Sequence, residues 1–229
     1  MENLWNGLIR AVELIITFDP EVMQIAGRSL MISVSSTVIA SVICIPVACI
    51  IHFNEFRGKR FIVVGIIQTL YSVPTVAVGL FVFVFISRVG PFGGLGILFT
   101  PTAIVVGQVL LITPILLGLT ISALSGMDKT IPDTARSLGA SGLQMAVLVV
   151  KEARFAVMAA VILGFGRAIS EVGISLMVGG NIRGFTRVLT TAISLETSKG
   201  DIELSMALGI ILIFLALVAN IIMNRIWQR

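Results

Sequence analysis

Three stretches of this chain run without a single charged residue: Ser29–Ile51, Phe61–Ser87 and Val89–Met127. A helix crosses the hydrocarbon core of a bilayer in about 20 apolar residues, and each stretch exceeds that. In a soluble domain such a helix would have to be buried on every side. The composition excludes that solution for the whole chain. Of 229 residues, 57% are hydrophobic and 12% charged, against about 25% charged in soluble domains. Mean hydropathy is +1.07. The sequence therefore predicts an all-α membrane protein clothed by lipid.

The third run is too long for one helix. Its start, GPFGGLGILFTP, is dense in turn formers, which places a loop at Gly90–Thr100 and a span at Pro101–Ser125. Phe155–Gly180, interrupted by Arg167 and Glu171, and Leu204–Met223 bring the total to about five transmembrane helices. Pro46, Pro74 and Pro114 fall inside spans, where membrane helices tolerate proline and kink or unwind. Ser33, Ser36, Ala40 and Gly79 predict close helix packing.

Residues 1–28 form a separate N-terminal segment. Leu4, Trp5, Leu8, Val12 and Ile15 share one helical face, which predicts an interfacial helix lying on the membrane. Acidic Glu2 and Glu13, with no small-residue cleavage site after a clean apolar core, argue for a retained segment rather than a secretory leader. The transmembrane domain then covers 29–226, with a polar loop at 126–152.

Orientation follows from the cations. Five spans place nine Lys and Arg on one side (Arg57, Lys59, Arg60, Lys129, Arg136, Lys151, Arg154, Arg225 and Arg229) and six on the other (Arg10, Arg28, Arg88, Arg183, Arg187 and Lys199). Basic loops stay cytoplasmic, so the N-terminus is expected outside and the C-terminus inside. The same loops account for the net charge of +4 without nucleic acid. Cys44 and Cys49 stand five apart on different helical faces, and His52 is the chain's one histidine. Neither a metal site nor a cofactor is expected.

The loop MDKTIPDTARSLGASGLQMAVLVVKEARF is too polar to span and too apolar for a plain linker. Pro132 suits a helix start, Asp133 its positive end, and Gly139 its termination. A second helix resumes at Ser141 with Leu143, Ala146, Val147 and Val150 spaced for one buried face. The spacing alone allows an amphipathic connector on the membrane or a knob presented to a partner.

Asp133-Thr134-Ala135 followed by Gly139-Ala140 resembles the Glu-Ala-Ala…Gly motif of ATP-binding-cassette importer permeases. In that family the loop is a coupling helix that docks on the ATPase subunit. The Leu-Pro pair usual after the motif reads Val150-Lys151 here. GFGRAISEVGISLMVGGNIRGFTRVLTTAI looks like the corresponding part of the molybdate, tungstate and sulfate permeases, and the following ETSKGDIELSMALGIIL resembles tungstate permeases in particular. The resemblance implies a homodimer joined to two cassette ATPase subunits and fed by an extracytoplasmic oxyanion-binding protein, in the inner membrane of a prokaryote. It implies tungstate as the substrate, with molybdate or sulfate as the alternative; tungstate and molybdate are tetrahedral dianions of almost equal size, and in this family the binding protein does most of the selecting.

Arg167 and Glu171 are four apart near the middle of the fourth span, so they can neutralise one another where a lone charge costs about 2.5–3.5 kcal/mol. Two roles are open. The pair borders the translocation path or the dimer seam, or it ties the span to neighbours such as Gln68 or Gln108. The outer loop Asn181–Asp201, with Asn181, Arg183 and Arg187, is either solvated polarity or, by the resemblance, a docking surface for the binding protein.

No GxxxxGK[ST] phosphate loop and no nucleophile–base or paired-carboxylate set occurs, so no catalytic residue is expected. Function is expected to be transport, with ATP hydrolysed by the partner. The competing classes are an ATP-independent channel or carrier and an intramembrane enzyme using Arg167 and Glu171. The second lacks any histidine or further acid within the spans to work with.

Overall fold

The computed structural model describes residues 2–54, 56–59, 61–128 and 130–227, and its regular elements are all helical. In chain order they are α1 (Glu2–Ile16), α2 (Pro20–Phe53), a π-helical turn (Phe61–Ile67) leading into α3 (Gln68–Leu70), α4 (Thr75–Ile86), α5 (Pro101–Ser125), α6 (Thr130–Ser137), α7 (Gly142–Glu152), α8 (Arg154–Ile169), α9 (Gly173–Gly179), α10 (Leu189–Lys199) and α11 (Ile202–Trp227). Arg60, Lys129 and Arg229, counted in the charge balance, lie outside the described residues, as does the side chain of Leu4.

Three helices are long and apolar enough to cross alone: α2, α5 and α11. Two more crossings are bent pairs. The segment 61–70 meets α4 at 94°, and α8 meets α9 at 56°. Crossings therefore number up to five, as the uncharged runs predict. Of the three prolines in the spans, Pro74 stands at a break, as the residue that caps α4. Pro46 and Pro114 lie inside uninterrupted helices. These two helices, α2 and α5, pack on each other at the centre of the bundle, which holds both in one piece despite the freed carbonyls.

The first span starts at Pro20, nine residues ahead of the expected Ser29. Asp19 Oδ1 accepts the Val22 N–H at 3.0 Å and Pro20 takes the first helical position, the two strongest signals for a helix start. Glu21 and Arg28 do not interrupt the helix because both are paired with the 181–187 segment rather than set against lipid. α1 packs through a different stripe from its expected apolar face. Its buried stripe is Gly7, Ala11 and Leu14, seated on α11, while Trp5, Leu8 and Val12 of the expected face point outward. A Cβ on Gly7 would meet Met206 Cβ at 2.7 Å, so only glycine allows this approach.

Small residues bring the central helices together. Ser33, Ser36 and Ala40 are buried on α2. Ile174 of α9 is fully buried, and added Cβ atoms on Gly79 of α4 and Gly107 of α5 would lie 3.2 Å from its Cα and 2.4 Å from its Cγ2. Gly107→Leu is therefore expected to push α9 out of its seat at a cost of about 1–3 kcal/mol. Thermal unfolding in detergent should show a clear loss, and an unchanged midpoint would mean that α9 packs elsewhere.

Candidate functional site: an elbow, a broken span and a locked loop

The polar loop folds as two short helices at right places for an elbow. Asp128 Oδ1 accepts the Thr130 N–H at 2.9 Å, which starts α6 and holds the Asp128 carboxyl below its ordinary pKa. Gly139 ends α6 at φ +81°, a conformation that side chains other than glycine resist. The Ala140 N–H bonds the Ala135 carbonyl and the Gly139 N–H bonds that of Arg136, the paired closure of a Schellman cap. Ser141 and Gln144 then form a reciprocal capping box that starts α7.

The five motif residues divide by burial. Asp133, Thr134 and Gly139 are exposed, Ala140 is half-buried, and Ala135 is buried in a cluster with Cys49, Leu124, Met145 and Val149 of the same chain. Ala135 thus seats the elbow on its own bundle. The expected face of α7 is shifted as well. Met145 and Val149 are buried, Ala146 and Val150 are at the margin, and Leu143 and Val147 are exposed. The apolar side chain most open at the elbow is Leu138, 83% exposed.

The fourth span breaks at Ser170–Val172, between α8 and α9, and no proline is involved. Glu171 sits at the break with its side chain 1% exposed. One carboxylate oxygen faces Arg167 Nη1 at 3.2 Å, and the other accepts the Ile174 N–H at 3.0 Å. The Glu171 carbonyl receives Thr190 Oγ1 at 2.8 Å, from the start of α10. Gln108 of α5 donates through Nε2 to the Ala168 carbonyl at 3.0 Å and accepts from the Ser36 hydroxyl of α2 at 2.9 Å. Breaking a helix in the membrane leaves backbone groups without partners, and these side chains supply them. Gln108 reaches the break itself rather than the ion pair, and Gln68 is exposed on α3. The Arg167 side chain is 38% exposed, on a face of α8 shared by Ala159, Leu163 and Ser170.

The segment 181–201 is not one loop, since α10 occupies 189–199 with Leu189 and Ala192 buried. The three residues singled out there come together. Arg183 grips Glu21 with two hydrogen bonds, of 2.9 and 2.6 Å, Arg187 stands 3.6 Å from Glu21, and Arg187 Nε donates to Asn181 Oδ1 at 3.3 Å. Arg28 underpins them by donating to the carbonyls of Arg187 and Gly184. Nothing local in the sequence ties Glu21 and Arg28 to this cluster, since they stand 162 residues from Arg183 and 156 from Gly184. Among the described residues no group of His, Cys, Asp and Glu could hold a metal ion.

The chain belongs to the family of binding-protein-dependent transport system inner membrane components, whose model matches residues 44–229, and its multi-pass helical bundle, with an elbow between α5 and α8 and a broken span, fits a membrane transport subunit. It is 39% identical, over the full length of both chains, to the tungstate uptake system permease protein TupB of Peptoclostridium acidaminophilum. It is 38% identical to the protein of the same name from Campylobacter jejuni, over 99% of this chain and 94% of that one. A probable anion ABC transporter permease protein of Haloferax volcanii is 39% identical over 90% of this chain and 91% of its own. Among solved structures the fold matches a chain of a bacterial alginate ABC transporter in complex with an alginate pentasaccharide-bound periplasmic protein. The TM-score is 0.72, at 19% identity, over 93% of this chain and 81% of that one.

Proposed function

We propose that this chain is the permease subunit of an ATP-driven tungstate importer. Identity of 39% over the whole length to a tungstate uptake permease carries the reading. Two copies form the path, two cassette ATPase subunits bind the elbows, and an extracytoplasmic binding protein delivers the oxyanion. The open face of α8, with Ala159, Leu163, Arg167 and Ser170, is the face turned to the second copy or to the path. Arg167 can draw a dianion along that face, while its bond to Glu171 keeps the attraction weak enough for release, as conduction requires. Glu171 acts by holding the break. Asn181, Arg183 and Arg187, fastened to Glu21, present a preformed surface to the binding protein, and α1 lies at the membrane surface beside α11.

In this reading the elbow is cytoplasmic and the 181–187 segment is outside. On a background with Cys44 and Cys49 replaced by Ala, Leu143→Cys should react with a membrane-impermeant maleimide only from the cytoplasm and Phe185→Cys only from outside. Both positions are exposed. The opposite pattern would invert the topology. Pull-down from detergent should bring a cassette ATPase with the tagged chain. A lone chain that moves oxyanion without ATP would remove the importer reading in favour of a channel or carrier.

A further inference from the structure

At the end of the bundle that carries the elbow, a groove of about 980 Å³ runs between the last turns of α2 and the outer side of α7. This is at the upper end of the range for sites that enclose small organic molecules. Ile50 and Phe53 form one wall, and Leu143, Ala146 and Val147 the other. Ile50, Leu143 and Val147 are 61%, 78% and 60% exposed, so the walls are apolar and uncovered. Arg136, Lys151 and Arg154 stand among the lining residues, and no described acidic residue lines the groove. None of the three cations makes an ion pair among the described residues. Arg154 lies over the Phe155 ring at 4.9 Å.

The groove thus joins an apolar slot, walled by a membrane-spanning helix, to an uncompensated charge of three cations at its rim. One molecule abundant at that depth matches both parts. We propose that the groove between α2 and α7 is a binding site for an anionic diacyl phospholipid, with an acyl chain along Ile50 and Val147 and the phosphate held by Arg136, Lys151 and Arg154. A neutral lipid would satisfy the slot and leave the cations unanswered, and a soluble anion would do the reverse. Because α7 follows the elbow directly, the bound lipid braces α7 against α2 and fixes the angle at which α6 projects.

The test uses the transporter, as purified with its partners, in vesicles containing trace phosphatidylglycerol or phosphatidylcholine with a photoreactive acyl chain. Adducts are mapped by mass spectrometry. Each cation near a membrane surface is worth about fivefold in affinity for anionic lipid. Phosphatidylglycerol adducts on 45–53 and 142–150 should therefore exceed phosphatidylcholine adducts by about tenfold or more. The triple variant R136Q/K151Q/R154Q should bring the ratio close to one. Ala146→Phe, which fills the slot and leaves the cations in place, should remove the adducts from the groove but not from the rest of α2. Both variants change half-buried or exposed positions, and recovery of each in the assembled state is checked by size exclusion. Equal labelling by the two headgroups would overturn the proposal. So would an unlabelled groove, the result expected if a second copy or the ATPase covers it, or a headgroup preference that survives Ala146→Phe unchanged at the groove.

Discussion

Arg167→Met is expected to lose most of its folded protein, and Arg167→Met with Glu171→Gln to regain most of it. The single change strands a carboxylate whose side chain is 1% exposed, and leaving one member of a buried pair costs about 3–5 kcal/mol. Glutamine at 171 removes the charge yet still offers an oxygen to the Ile174 N–H, which Glu171 accepts at 3.0 Å. Glu171→Gln alone should be mild, because Arg167 is 38% exposed and can turn to water. Glu171→Met should be worse than Glu171→Gln, since it also uncaps α9. Fluorescence-detected gel filtration after a heat step measures all four. If Arg167→Met matches the parent, Glu171 is not enclosed as described and the break is held by other groups. Uptake by the rescued double variant then separates the roles. Uptake near the parent level makes Arg167 structural, and a folded, ATPase-bound, inactive variant puts it in the path.

The second large effect lies at the elbow. Leu138→Asp should leave the permease folded, because this side chain is 83% exposed. It should weaken ATPase binding by about thirtyfold or more, the consequence of losing some 2 kcal/mol at a central apolar contact. Gly139→Leu acts differently. It forces a side chain to φ +81°, which costs about 1–2 kcal/mol, and opens the Schellman cap that turns α6 into α7. The ATPase should still bind, but oxyanion-loaded binding protein should no longer stimulate hydrolysis. Ala135→Leu belongs to a third kind, because Ala135 is buried in its own chain, and it should lower thermal stability. Parent-level coupling in Leu138→Asp and Gly139→Leu together would rule out the elbow as the contact.

How far the sequence spoke depends on what each feature needs. Up to five crossings were legible because an apolar run of about 20 residues, uncharged or with two charges that can pair as in the fourth, has one cheap fate in a membrane protein. The elbow was legible because Gly139 and Ser141 are local signals, complete within a few residues. The pairing of Arg167 with Glu171 followed from a spacing of four on a helix. What failed was whatever depends on the partner across space. α2 starts nine residues ahead of the charge-free run: Glu21 and Arg28 read as barriers to a span, and the pairing of Glu21 with Arg183 and the bonds of Arg28 to two carbonyls are invisible in sequence. The break at Ser170–Val172 carries no proline, and Thr190, which bonds it, and Ser36, which holds the Gln108 amide that bonds it, announce nothing locally. The inward face of α7 differs from the expected one by one position in the helical wheel, since apolar Ala146 follows Met145 and apolar Leu148 and Val150 flank Val149.

ATP-dependent uptake into sealed vesicles tests the central claim most directly. The permease is reconstituted with its cassette ATPase inside and its binding protein outside, and retained tungstate, molybdate and sulfate are measured separately. The account predicts retention of tungstate that requires both partners and ATP, and that vanishes with Leu138→Asp. Selective retention of molybdate or sulfate would keep the importer and change its substrate. Uptake that proceeds without ATP, or that is untouched by omission of the binding protein, would contradict the account.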